Sequence, residues 1–290
     1  MKIAITGSTG QLGRLVIEQL LKSVPAEQIV AIARTPEKAH ELSKHNISVR
    51  KANYADTSTL KNAFSGIDRL LLIASNELGR RVAQHANVIN AAVRQGVQML
   101  AFTSLVHANR STASLAIEYA QTEADIKASG LPHVILRNGW YTENYMVGVP
   151  AALASGTLLG CAGNGRISSA CRADLAEAAA KILTSADPSG QTLELAGDSA
   201  YTLAELAAEI SQQSGKKIIY KNLSETAYRD ALLSAGFPEP AASMFATWDI
   251  EASRDTLFEE GQQLSKCLGH PTTPMHETLK KFLPPIKQAS

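Results

Sequence analysis

The sequence has 290 residues, of which 45% are hydrophobic and 19% are charged, and its formal net charge is +1. These totals are typical of a globular protein and argue against a dedicated surface for nucleic acid or for an anionic membrane. Three cysteines without a Cys-x2-Cys pair, and seven histidines without a His-Glu-x2-His motif, argue against a disulfide framework and a metal site. We therefore expect a protein of a reducing cytoplasm, without a signal peptide or a membrane span.

The first feature along the chain is a glycine-rich turn between a strand and a helix. Gly7, Gly10 and Gly13 follow the apolar run at residues 2–5 and precede an amphipathic helix at 14–24. The first glycine permits a tight turn, the second leaves room for a pyrophosphate to approach the backbone, and the third lets the helix pack on the strand. Free N–H groups at the helix N-terminus attract a diphosphate. The alternative is an ordinary strand-to-helix turn.

The second apolar run indicates which dinucleotide binds. Residues 28–33 are of strand type and end in Arg34, which lies twenty-one residues after Gly13. An acidic residue here would hold the ribose 2′-hydroxyl of NAD, whereas an arginine suits the 2′-phosphate of NADP. No carboxylate follows before Glu37. The pattern therefore predicts NADP(H) as the cofactor, with NAD(H) as the second choice.

Strands and helices alternate through the amino-terminal half of the chain. Four more strand-type runs are separated by helical segments; they cover residues 47–50, 68–75, 97–104 and 133–137. Six strands joined by helices predict an α/β fold, a Rossmann-type doubly wound parallel sheet that binds ligands at the carboxyl ends of its strands. We expect an NADP-binding Rossmann domain at 1–150 and a smaller, substrate-side C-terminal α/β lobe at 151–290. The lobe would include the strand-type run at 192–196; the boundary is left open, and so is the crossing of chain segments between the lobes.

Many reductases of this fold use a Tyr-x3-Lys pair, in which the lysine lowers the pKa of the tyrosine. None of the seven tyrosines has a lysine four residues later, and Tyr119, the best placed, has Glu123 there. A nearby carboxylate raises the pKa of a phenol, so we expect Tyr119 on a helix surface and not in catalysis. Ser104 stays open as a catalytic hydroxyl. We predict no dedicated catalytic residue.

This missing pair restricts the reaction. Reducing a ketone forms a strongly basic alkoxide, which needs a proton donor at once. Hydride addition to a quinone gives a phenolate-like anion whose conjugate acid has a pKa of about 10. A few hydrogen bonds can stabilise that anion, and water can supply the proton. The sequence therefore favours quinone reduction over carbonyl reduction or epimerisation.

An aromatic cluster follows the sixth strand, beside the expected nicotinamide end of the cofactor. Trp140, Tyr141 and Tyr145 could wall a pocket for a small planar substrate. Their alternative role is packing between the two lobes. At the third strand, Asn53 and Tyr54 are expected near the adenine.

These motifs resemble those of a known family. The turn at 6–13 and the segments 32–34, 70–75 and 136–145 are similar to the NmrA-like group of atypical short-chain dehydrogenase/reductases, and within it to the bacterial quinone-reducing type. The resemblance covers essentially the whole chain. It implies NADPH as hydride donor and quinones as acceptors, without a catalytic tyrosine–lysine pair.

The family's cofactor contacts can be carried over to matching positions. The resemblance implies that Gly7, Ser8, Thr9, Gly10, Gln11 and Leu12 contact the diphosphate, Arg34 the 2′-phosphate, Ala74, Ser75 and Asn76 the ribose, and Asn138, Gly139, Trp140, Tyr141, Thr142 and Glu143 the nicotinamide. Some relatives in this group resemble redox sensors that bind a dinucleotide without consuming it. The alternative to a quinone oxidoreductase is therefore an NADP(H)-binding redox sensor. The sequence does not specify an oligomeric state.

Overall fold

The structure, a computed structural model, describes residues 1–186 and 188–284. Its strands are β1 (Ile3–Ile5), β2 (Ile29–Ala33), β3 (Ser48–Lys51), β4 (Arg69–Leu72), β5 (Met99–Leu105), β6 (His133–Asn138), β7 (Thr157–Gly160), β8 (Gln191–Leu195) and β9 (Ile219–Asn222). Seven of them form one parallel sheet in the order β3-β2-β1-β4-β5-β6-β8, and β7 pairs with β9 in parallel. This architecture confirms the predicted Rossmann-type doubly wound sheet.

The helices of the described residues connect the strands and cover both faces of the sheet. They are α1 (Gln11–Leu20), α2 (His40–Ser43), α3 (Thr57–Phe64), α4 (Arg81–Arg94), α5 (Ala116–Ala128), α6 (Thr142–Met146), α7 (Val149–Ser155), α8 (Arg172–Thr184), α9 (Leu203–Ser214), α10 (Glu225–Ser234), α11 (Glu239–Ala252), α12 (Gln263–Leu268) and α13 (Met275–Lys280). Short 3-10 helices lie at Ala26–Gln28 and Pro36–Ala39. Within these ranges no helix is long and apolar enough to span a bilayer.

Side chains of the central strands point alternately to the two faces of the sheet and form a hydrophobic core on each face. Ile3 and Ile5 pack on the face covered by α1, α8 and α12, whereas Ala4 belongs to the opposite face, covered by α3, α4 and α5. Every residue of β1, β2 and β5 is buried. Strands buried on both faces read as continuous apolar runs, which is why the sequence predicted them well.

The chain returns to the large sheet after residue 150. The strand-type run expected in the smaller lobe becomes β8, which pairs with β6 from Val134 opposite Gln191 to Asn138 opposite Leu195. The preceding helix, α8, packs against α1. This run is thus a segment of the second half that joins the large sheet, which local periodicity does not reveal. The division near residue 150 stays a prediction, with α8 and β8 crossing it.

Candidate functional site

The glycine-rich turn leads from β1 into α1. Gly7 has a φ of +59°, which favours glycine, and the N–H of Gly10 donates to the Gly7 carbonyl over 2.9 Å. Gly10 is the N-cap of α1. Because glycine has no side chain, it cannot accept a hydrogen bond from the first N–H groups of the helix. A Cβ on Gly13 would lie 2.8 Å from the Ser8 Cα. The turn therefore presents a positive helix terminus and requires a glycine where the helix meets it.

A groove of about 340 Å³ lies over this turn. Most of the predicted residues in the amino-terminal half line it: Gly7, Thr9, Gly10, Arg34, Asn53, Tyr54, Ala74, Ser75 and Asn76. Residues that the sequence did not indicate complete it: Ile32, Ala52, Ile73, Glu77 and Gln84. The side chains come from the carboxyl ends of β1, β2, β3 and β4, where doubly wound folds bind their ligands.

Three predicted residues of the turn do not line the groove. Ser8 is buried, and its hydroxyl donates to the Ile32 carbonyl over 2.9 Å. Leu12 is part of the core, and Gln11 is exposed at the first position of α1. Ser8 and Leu12 thus hold the turn in place, while contacts of all three with the cofactor stay a prediction.

The loop after β4 is fixed by three side chains of α4. Arg81 Nε donates to the Ser75 carbonyl over 2.7 Å, Ser75 N–H donates to His85 Nε2 over 2.9 Å, and the Ser75 hydroxyl donates to Gln84. Burial lowers the pKa of His85 to about 3, so the ring is neutral and its Nδ1 faces Thr122. Sequence reasoning missed this support, because an isolated histidine on a helix carries no distinguishing pattern.

An ion pair joins the two sides of the groove. Arg34 Nη1 lies 2.7 Å from Glu77 Oε1, and Gln84 Nε2 donates to Glu77 Oε2 over 2.8 Å. Hydrogen bonds from Gln84 and Arg34, with the positive charges of Arg34 and Arg80, hold the pKa of Glu77 below its usual range. Arg34 follows β2 and Glu77 follows β4, the strands on either side of β1. Nothing local in the sequence indicates this pair.

The predicted residues after β6 lie apart from the groove lining. Asn138 is buried at the carboxyl end of the strand, and the Gly139 N–H donates to the Leu195 carbonyl over 2.7 Å. A Cβ on Gly139 would lie 3.0 Å from the Ser168 carbonyl oxygen and 3.1 Å from Ala196 Cα. Glycine is needed here because β8 and the segment around Ser168 approach so closely.

The following residues bind the segment that leads into α8. Thr142 Oγ1 lies 2.8 Å from Ser169 Oγ, and the Arg172 N–H donates to Glu143 Oε1 over 2.9 Å. The Arg172 guanidinium lies 4.2 Å from the centre of the Tyr141 ring. Tyr141, Thr142 and Glu143 therefore order the end of β6 against α8. Their contact with a nicotinamide stays a prediction.

The aromatic cluster divides between packing and a cavity. Trp140 packs edge to face on Trp248, with 5.1 Å between ring centres. Tyr145 lines an apolar cavity of about 200 Å³ that lies among α6, α7, β7, α9, α10 and α11. Tyr228, Phe237 and Phe245 contribute further aromatic walls to that cavity.

The same cavity contains a buried carboxyl group. Asp249 is 7% exposed and accepts a hydrogen bond from the Cys161 N–H. Burial raises the pKa of Asp249 to about 6, against the opposing effect of the Cys161 hydrogen bonds. Burial likewise raises the pKa of Tyr145 well above its ordinary value, so its phenol is protonated at neutral pH. The cavity can thus surround a planar apolar ring and offer hydrogen-bond donors.

The Ser104 hydroxyl, left open as a catalytic group, has a buried carboxylate as its partner. The Ser104 hydroxyl donates to Glu123 Oε1 over 2.6 Å, and Glu123 Oε2 lies 2.6 Å from the Arg137 guanidinium. Tyr119 is half-buried beneath Arg81, 4.7 Å from its ring centre, and not on the helix surface as expected. Burial raises the pKa of Tyr119, the positive charge of Arg81 opposes this effect, and the carboxylate that adds to it is Glu118, not Glu123. Ser104 is engaged in this buried cluster.

His107, Glu194 and Glu259 approach closely enough to suggest a metal site. Both ring nitrogens of His107 already have partners, however: Nε2 lies 2.8 Å from the Phe258 carbonyl, and Nδ1 lies 2.9 Å from Arg110 Nη2. These contacts favour a cluster of charge pairs over a metal centre. The predicted absence of a metal stays a prediction.

A parallel sheet whose glycine turn, helix terminus and basic residue converge on one groove defines a dinucleotide-binding α/β protein. The family model for NAD(P)H-binding proteins matches residues 7–186, and the chain belongs to this family.

The relatives give a more specific placement. The chain is 52% identical to quinone oxidoreductase 2 of Escherichia coli strain K12, over 96% of this chain and 97% of that protein. It is similar to the crystal structure of the NADPH complex of an E. coli NADPH-dependent quinone oxidoreductase, with 51% identity, a TM-score of 0.94, and 96% and 99% of the chains covered. It is also similar to the NADP(H) complex of a Citrobacter triphenylmethane reductase, with 38% identity, a TM-score of 0.95, and 97% and 100% covered. The predicted membership of the NmrA-like group and its quinone-reducing type is confirmed.

Proposed function

We propose that this protein is an enzyme that reduces quinones with NADPH. The supporting observation is a groove that combines the glycine turn with the exposed guanidinium of Arg34, in a chain 52% identical to a quinone oxidoreductase over nearly its whole length. This combination favours the enzyme over the redox sensor. The aromatic cavity favours it as well, since a sensor needs no pocket for an acceptor.

The residues present fit NADP(H). The backbone of 7–12 and the N-terminus of α1 would hold the diphosphate, 74–76 the ribose, and 138–143 the nicotinamide. Arg34, 63% exposed beside the groove, would hold the 2′-phosphate. When bound, the reduced nicotinamide supplies a hydride to the acceptor. The chain's own residues position that acceptor and exclude water.

We place the acceptor in the apolar cavity. Tyr145 belongs to α6, whose first residues, Thr142 and Glu143, are part of the segment proposed for the nicotinamide, so the cavity wall and that segment are continuous. A quinone ring would gain from burial against aromatic walls. Its reduction takes up one hydride and one proton. Because the pKa of Asp249 is about 6, this carboxyl can carry a proton close to neutral pH.

The redox state of the three cysteines is relevant to the cellular compartment of the protein. Cys161, Cys171 and Cys267 are free thiols, and burial raises the pKa of each, to about 12 for Cys161 and about 11 for Cys171. Thiols held protonated in this way are poorly reactive. Their lack of disulfide partners agrees with a reducing cytoplasm, the location that we propose.

The decisive experiment is NADPH oxidation by the purified protein with a simple benzoquinone, compared with an unactivated ketone of similar size. We expect turnover with the quinone and none with the ketone, because no tyrosine–lysine pair is present to protonate an alkoxide. Tight NADPH binding without quinone turnover above the uncatalysed rate would refute the enzyme and leave the sensor.

A further inference from the structure

We propose that Glu77 is a specificity-determining residue: its carboxylate competes with the cofactor's 2′-phosphate for Arg34 and so reduces the preference for NADPH over NADH. The proposal rests on the proposed binding of the 2′-phosphate by Arg34. It adds a residue that acts against that binding.

The ion pair of Arg34 and Glu77 lies in the groove where the cofactor is proposed to bind. Arg34 and Glu77 both line the groove with Gly7 and Gly10, and they reach it from the strands on either side of β1. Their contact of 2.7 Å is a charge-assisted hydrogen bond. It spans the groove between its two walls. A phosphate that bonds Arg34 must take the place of this carboxylate or lie beside it.

Glu77 is held in position as a charged group. Gln84 donates to its second oxygen over 2.8 Å, and its own N–H donates to the Ser75 hydroxyl over 3.2 Å. Ser75 is in turn fixed by α4 through Arg81 and His85. The glutamate side chain is only 33% exposed. The carboxylate is thus anchored on the β4 side, whereas the Arg34 side chain is 63% exposed and freer to move.

The two cofactors meet this pair differently. NADPH brings a phosphate that competes with Glu77 and is repelled by it, because like charges at close range oppose each other. NADH brings a neutral 2′-hydroxyl, which leaves the pair intact. An ion pair at this degree of exposure is weak, so its loss should change NADPH affinity by about two- to fivefold.

The test compares dissociation constants of NADPH and NADH, measured by fluorescence titration of the purified protein, for four variants. Glu77→Gln removes the charge and keeps the shape, and Glu277→Gln is the control, since Glu277 is also ion-paired but lies on α13 away from the groove. Arg34→Ala and the double variant Arg34→Ala/Glu77→Gln complete the cycle. Glu77→Gln should tighten NADPH about two- to fivefold, leave NADH within about twofold, and lose much of this gain at high salt.

The cycle separates the proposal from its premise. In the Arg34→Ala background the gain for NADPH should be smaller, because the contested guanidinium is gone and only the direct repulsion between Glu77 and the phosphate remains. Unchanged or weaker NADPH binding in Glu77→Gln would overturn the proposal, since Glu77 would then be neutral or would orient Arg34 for the phosphate. Equal losses of NADPH and NADH in Arg34→Ala would overturn its premise, whether or not the protein turns over quinones.

Discussion

Gly13 and Gly10 of the glycine turn are needed for different reasons, and a variant of each can separate these reasons. A Cβ on Gly13 would meet only backbone atoms, at 2.8 Å from Ser8 Cα and 3.0 Å from the Gly7 carbonyl carbon. A Cβ on Gly10 would have one close neighbour, the Gly7 carbonyl oxygen at 3.2 Å, and Gly10 has an ordinary φ of −77°. Gly13→Ala therefore forces α1 away from the turn, whereas Gly10→Ala mainly extends into the groove.

The expected magnitudes follow from these contacts. Placing a Cβ against rigid backbone lowers the unfolding free energy by up to about 3 kcal/mol. The better helix propensity of alanine offsets about 1 kcal/mol of this loss. Gly13→Ala should thus lose about 2 kcal/mol of unfolding free energy, or about 5 °C in Tm. Gly10→Ala loses a favourable N-cap residue, which costs less than about 1 kcal/mol. Its Cβ lies where the diphosphate is proposed to bind, so NADPH affinity should fall about tenfold or more.

Thermal unfolding and NADPH titration on the same preparations measure both effects. Gly13→Ala should lose stability and affinity together, because the turn itself moves. Gly10→Ala should keep a Tm within about 3 °C of the parent while losing affinity. A Gly13→Ala protein with the parent's Tm, or a Gly10→Ala protein with the parent's affinity, would refute the assigned roles.

Two further predictions concern the apolar cavity. Ala231→Phe should raise KM for quinones and leave the NADPH dissociation constant unchanged, because Ala231 lines the cavity on α10. Ala227→Phe is the control, since Ala227 is exposed on the same helix. Equal kinetics in the two variants would show that the acceptor does not bind in this cavity. Burial raises the pKa of Asp249 to about 6 from its usual value of 3.8, so the folded state binds more protons than the unfolded state and loses stability as pH rises between these values. Relative to the parent, the unfolding free energy of Asp249→Asn should rise by up to about 3 kcal/mol between pH 4 and pH 7 in denaturant titrations. A difference in unfolding free energy that is the same at every pH would show that Asp249 titrates normally.

Features that depend on neighbours in sequence were predicted well. The order of strand, glycine turn and helix, and the position of Arg34 at the end of the second strand, identified the family and the amino-terminal part of the groove. Strand-type runs separated by helical segments identified six of the seven strands in the large sheet. The family comparison confirms the quinone-reducing type that these motifs indicated.

Features that join distant segments were not predictable. The run at 191–195 gave no sign of the sheet it joins, and the aromatic cavity is assembled from helices between residues 142 and 252. Of the three aromatic residues, only Tyr145 lines the apolar cavity; Trp140 packs on Trp248 and Tyr141 on Arg172, and their contact with a substrate stays a prediction.

By itself, the sequence determined the fold class, the glycine turn and the nature of the cofactor, because each depends on the order and spacing of residues along the chain. Tertiary structure alone decided that Glu77 faces Arg34, that Arg137 neutralises Glu123, and where an acceptor can be enclosed. Those relations depend on how distant strands and helices pack together in the folded chain. Charge and aromatic character are visible in the sequence, but their partners are chosen by packing across the whole chain.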